Sequence, residues 1–70
     1  MTYPNLRGEM AKRGMTPFSL CKKIGIAYAT MTAKMNGSRE WKWSEILALK
    51  KAIGTDMPIE ILFSDKIVED

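Results

Sequence analysis

The chain has 70 residues, with 11 basic and 8 acidic side chains, one cysteine and no histidine. A chain this short buries only about 60% of the surface that its unfolded form exposes, which predicts one core and a single domain over residues 1–70. The lone Cys21 and the absence of histidine exclude a disulfide framework and a histidine-based metal site, and no run reaches the roughly 18 apolar residues of a membrane span.

Helix packing therefore has to carry the fold. Glycines fall where helices should stop, and this punctuation predicts an all-α, compact five-helix arrangement. The first helix, over about residues 3–13, has Thr2 as N-cap, Pro4 in its first turn, and Leu6 and Met10 on one face; Gly8 weakens it and Gly14 ends it. The second opens with Thr16 as N-cap and Pro17 at the first helical position, where a missing N–H costs nothing. Leu20, Cys21 and Ile24 form its buried stripe, Lys22 and Lys23 point outward, and Gly25 stops it.

The third helix spans about residues 28–36, with Met31 and Met35 inward, and runs into the turn cluster Asn36-Gly37-Ser38-Arg39. Trp43, Ile46, Leu47, Leu49 and Ile53 then predict a core helix ended by Gly54. One of Trp41 and Trp43 should lead that helix into the core while the other covers the turn. A short fifth helix is expected near Asp56, an acidic cap ahead of Pro58, presenting Ile59, Leu62 and Phe63 inward. The core thus covers about residues 3–63, and residues 65–70 are expected to fray. Met10, Met31 and Met35 read as adaptable packing, and Cys21, with no second cysteine or histidine beside it, as an inert thiol.

The net charge of +3 is unevenly spread. Residues 1–42 hold eight basic side chains against Glu9 and Glu40, a net of +6, whereas residues 43–70 carry a net of −3. Such a molecule can turn one face to a polyanion and the other to solvent or protein.

The most specific stretch is residues 16–36. An apolar residue at 20, a small one at 21, apolar 24, Gly25, apolar 26, then Met31 and Met35 is the spacing that packs two helices steeply about a short turn. This pattern resembles the helix-turn-helix of phage repressors, Cro proteins and related bacterial regulators, the lambda-repressor-like family. In that family an Asn-Gly turn closes the recognition helix, a fourth apolar helix ends in Gly, and a short fifth helix ends in Leu-Phe. Asn36-Gly37, Ile46 through Gly54, and Leu62-Phe63 match these features in order, so the resemblance covers about residues 5–63.

The resemblance implies a phage or mobile-element transcriptional regulator in the cytoplasm of a bacterial host. Its second helix would cross the backbone of double-stranded operator DNA, and its third would lie in the major groove. Helical geometry puts Tyr28, Ala29, Thr32, Ala33 and Asn36 on one face. By resemblance the first four face the bases. Thr16 with the start of its helix, together with Asn36, Ser38 and Arg39, would hold phosphates. Lys34 stands where many relatives carry an apolar residue, so its stem is expected to pack while its ammonium reaches out. The family commonly dimerises, and a homodimer here would have to use the fourth and fifth helices or the tail.

The surface departs from the family at several points. Pro17 stands where relatives often have Gln, and Ala27 caps the third helix in place of Ser or Thr. Tyr28, Ala29, Thr32 and Ala33 offer no bidentate partner for guanine or adenine, so direct readout rests on apolar contact and single hydrogen bonds. Pro17, Phe18, Tyr28, Ala29 and Ala33 together also make an apolar, partly aromatic surface of the kind that docks onto protein. The alternative reading is therefore an antirepressor or modulator that binds a partner repressor through the same face. No histidine, Gly-rich phosphate loop or convergent acid pair is present, so the sequence predicts neither catalysis nor a cofactor.

Overall fold

The computed structural model describes residues 2–65. They form five helices: α1 (Pro4–Lys12), α2 (Pro17–Ile24), α3 (Tyr28–Met35), α4 (Trp43–Ile53) and α5 (Ile59–Leu62), with no strand among the described residues. The all-α expectation holds, and each helix lies within two or three residues of its predicted span. Five of the six residues expected to fray, residues 66–70, lie outside the described residues.

α2 packs against both α3 and α4, while α1 packs against α5. One cluster joins them: Leu6 and Met10 from α1, Leu20 and Cys21 from α2, Met31 and Met35 from α3, Leu49 and Ile53 from α4, and Leu62 from α5. The methionines at helical spacing are thus core, where an unbranched thioether fills irregular gaps.

Two glycines set how α3 is presented. Gly25 takes φ 77° at the end of α2, and its amide and that of Ile26 both donate to the Cys21 carbonyl. A Cβ there would meet nothing within 4 Å, so the requirement is the left-handed backbone angle rather than space. Gly37, at φ 79°, closes α3: its N–H donates to the Lys34 carbonyl at 3.2 Å and the Ser38 N–H to the Ala33 carbonyl at 2.9 Å. This crossed pair satisfies carbonyls that the helix end would leave orphaned.

Three expectations need correction. Thr2 does not cap α1; Tyr3 occupies the N-cap position at φ 53°, and α1 has no side-chain cap. The uncommon left-handed angle is held by packing, because the Tyr3 ring meets Trp41 and Phe63 edge-on with centroids 6.4 and 5.8 Å away. Asp56 does not cap α5, whose N-cap position is Pro58. Thr55 organises that turn, its hydroxyl accepting the Met57 N–H at 3.1 Å and donating to the Glu9 carboxylate at 2.6 Å. Finally, Trp43 and Leu47 do not enter the core: they are 64% and 45% exposed. At about 100° per residue they lie about 120° and about 160° around the helix from Leu49, so one core cannot cover all three. Trp41, ahead of α4, is the tryptophan that packs.

Candidate functional site

The α2 N-terminus is built by a reciprocal hydrogen-bonded box. The Thr16 hydroxyl accepts the Ser19 N–H at 3.2 Å, and the Ser19 hydroxyl oxygen accepts the Thr16 N–H at 3.0 Å. Thr16 is the cap that the sequence predicts; Ser19, three residues on, takes the place that the capping-box pattern gives to Glu or Gln, so that pattern does not single it out. Pro17 has no amide proton and the Ser19 N–H is used internally, which leaves the Phe18 N–H as the donor free to meet a ligand in this first turn.

The N-terminus of α3 is arranged differently. Ala27 supplies no side-chain cap, so the N–H groups of Tyr28, Ala29 and Thr30 at the positive end of the helix are left without internal partners. Tyr28 and Ala29 are exposed, and Thr32 and Ala33 are half-buried one turn further along. The Thr32 hydroxyl donates to the Tyr28 carbonyl at 2.9 Å. Its proton is committed, so outward it presents a methyl group and oxygen lone pairs.

Phe18 and Tyr28 join the two helices at this surface. Their rings meet edge-on with centroids 5.6 Å apart, yet they remain 53% and 52% exposed. The Lys22 ammonium lies 4.2 Å from the centroid of the Phe18 ring. Lys22 therefore joins the surface as a lid over an aromatic face, a role that its outward position in the sequence does not disclose. At the other end of α3, Asn36, Ser38 and Arg39 are exposed, and their side chains make no hydrogen bond to the described residues.

Lys34 is the clear exception among the predicted site residues. Only 3% of it is exposed, and its ammonium pairs with Glu45 of α4, so the expectation that it reaches outward is corrected. The stem packs as expected, but position 34 lies on the side of α3 that faces α4. Glu45 also accepts the Lys42 N–H at 2.9 Å, which ties the α4 N-terminus to the same carboxylate. Burial pushes the Glu45 carboxyl up, but Lys34 and the Lys42 N–H outweigh it and hold it below the usual carboxylate value.

The basic half of the chain is likewise only partly available. The Arg7 guanidinium donates to the Thr2 carbonyl at 2.7 Å and to the Met35 carbonyl at 2.9 Å. Lys12 and Arg13 pair with Glu9 at 3.0 and 3.2 Å. The hydrogen bond from Thr55, with help from Lys12, keeps Glu9 below the usual carboxylate value despite its burial. Lys23, Arg39 and Lys42 remain exposed and form no ion pair among the described residues.

No cluster of three or more His, Cys, Asp or Glu that could hold a metal occurs among the described residues. Nor is any helix among them long and apolar enough to cross a membrane. A family model described as the Cro/C1-type HTH DNA-binding domain matches residues 5–62. Comparison with curated proteins and with solved structures gives no match.

Proposed function

The chain belongs to the Cro/C1-type helix-turn-helix DNA-binding domain family, and from that premise we propose that it regulates transcription in a phage or mobile element by occupying operator DNA. In this reading α2 lies across the phosphates and α3 enters the major groove with its N-terminal end towards the bases. The observation that carries it is the state of the two ends of α3. Three unpartnered N–H groups stand at one end, and the unbonded side chains of Asn36, Ser38 and Arg39 at the other, while the inner side is fixed to the core. That is a helix with donors left over for an anionic ligand. Thr16 and the Phe18 N–H add phosphate contacts, and Lys34, committed to Glu45, contributes none. The domain works as a binding module with no catalytic role.

A second reading is favoured by one feature, the exposed Phe18–Tyr28 pair. Rigid aromatics beside Pro17, Ala29 and Ala33 suit a protein partner, and the partner in this case is the repressor of the same element, to which the chain acts as antirepressor. Two copies could also pair through α4 and α5, where Trp43, Leu47 and Ile61 are exposed.

Titration of the purified protein with intergenic DNA of its own element, at two salt concentrations and with or without the neighbouring repressor, separates these readings. Operator binding is expected to weaken steeply as salt rises, and Arg39→Ala should lower the salt slope by about one. Indifference to DNA at low salt, with a stable complex formed with the repressor, would replace the first reading by the second. Sedimentation at several protein concentrations tests the pairing of copies.

A further inference from the structure

We propose that the outward face of α3 recognises the 5-methyl group of pyrimidines, so that the protein favours A·T over G·C base pairs, and 5-methylcytosine over cytosine. The inference rests on the operator-binding reading and specifies what that surface selects.

The major-groove edge of a base pair offers three kinds of feature: acceptors at guanine and adenine N7, guanine O6 and thymine O4; donors at adenine N6 and cytosine N4; and the thymine methyl. The α3 surface can be set against each. Ala29 and Ala33 present only methyl groups. Thr32 has given its proton to the Tyr28 carbonyl, 2.9 Å away, and keeps an acceptor and a methyl group. The Tyr28 hydroxyl is the one side-chain donor left among these four residues, and the neighbouring Phe18 and Pro17 side chains add none.

Both base pairs present two acceptors and one amino donor on this edge, and the unpartnered α3 N–H groups are left to phosphate, so the feature that this surface can tell apart is the thymine methyl. The thymine methyl meets the alanines, while the Thr32 oxygen accepts the amino group of adenine or cytosine alike. The surface is also held in place before binding. Tyr28 leans edge-on against Phe18 at 5.6 Å, Lys22 covers Phe18, and Met31 and Met35 anchor the opposite side of the helix in the core. Little ordering is therefore left to be done on contact.

The test leaves the protein unaltered, so folding of a variant is not at issue. Affinity is measured by fluorescence anisotropy for four short duplexes: alternating A·T, the same with deoxyuridine for thymine, alternating G·C, and the same with 5-methylcytosine. Loss of each contacted methyl is expected to weaken binding about fourfold, the ratio that corresponds to about 0.8 kcal/mol for one buried methyl or methylene group. The A·T duplex should bind tighter than its uracil form, and the methylated G·C duplex tighter than the plain one. Equal affinities within each pair, with binding still sensitive to salt, would overturn methyl recognition and leave the operator-binding reading standing. A difference confined to the A·T pair would also overturn it, since that result reports DNA shape. Failure to bind any of the four duplexes at low salt, together with complex formation with the repressor, would remove the operator-binding reading itself.

Discussion

The two sides of α3 reverse the usual assignment of residue types. The inner side carries Met31, Met35 and a lysine, all buried, whereas the outer side carries a tyrosine and two alanines, with Tyr28 and Ala29 exposed. Hydrophobic character alone would place Ala29 and Ala33 inward and Lys34 outward. What decides is the neighbour available on each side. Inward, Glu45 at the start of α4 gives an ammonium group a partner, and Trp41 lies within 5.8 Å of it. Outward, Tyr28 meets Phe18, Ala29 is exposed and Ala33 is half-buried, so the apolar groups there are only partly covered by the described residues. The comparison separates residues that hold α3 in position from residues that α3 displays.

The sharpest way to break this contrast is to put a charge on each side in turn. Met31→Asp is expected to abolish folding, since it buries a carboxylate with no partner; loss of the cooperative thermal transition in circular dichroism is the measurement. Lys34→Ala leaves Glu45 largely buried beside the Lys42 N–H alone and should cost about 3–5 kcal/mol in urea unfolding. Replacing the pair together, Lys34→Met with Glu45→Leu, should return stability to the starting level or above it. If the double replacement is as damaging as the single one, the ion pair is needed for more than compensation of its own burial.

On the displayed side, Ala33→Asp should leave stability within about 0.5 kcal/mol while weakening the ligand interaction about a hundredfold or more, whether the ligand is DNA or the repressor. Unchanged binding would take α3 out of the site. The mildest perturbation is acid. Glu9 and Glu45 both sit below the ordinary carboxylate value of 4.5, so the stability they contribute is fully present above that value and is lost as pH falls through their lower folded-state values. Urea midpoints should be flat down to about pH 5 and decline below about 4.5, with a shallower decline in the Lys34→Met, Glu45→Leu protein.

Much of the fold was legible because it depends on local chemistry. Thr16, Pro17, Gly25, Gly37 and Gly54 mark helix ends whatever lies elsewhere in the chain, and α2, α3 and α4 begin and stop accordingly. Most of the misses are non-local. Tyr3 holds a left-handed angle because Trp41 and Phe63 converge on its ring, and Thr55 displaces Asp56 as the turn organiser because Glu9 lies opposite it. Counting along α4 put Leu47 inside because it is four residues from Trp43, yet both lie away from the side that Leu49 and Ile53 turn to the core. In the candidate site, the display of Tyr28, Ala29, Thr32 and Ala33 followed from helical period, whereas the Lys34–Glu45 pair joins residues eleven apart and has no sequence signature.

The single thiol, buried in α2, has a practical consequence. Cys21 is 3% exposed, so a reagent reaches it when α2 opens from the core, and its Sγ–H donates at 3.1 Å to the backbone carbonyl of Phe18, whose ring belongs to the aromatic surface. Its rate of modification by an alkylating reagent therefore works as a clock for opening of this one helix, at a site unique in the chain. A ligand seated over Phe18 and Tyr28 would slow that clock, turning an unreactive cysteine into a built-in gauge of occupancy that requires no label on the partner.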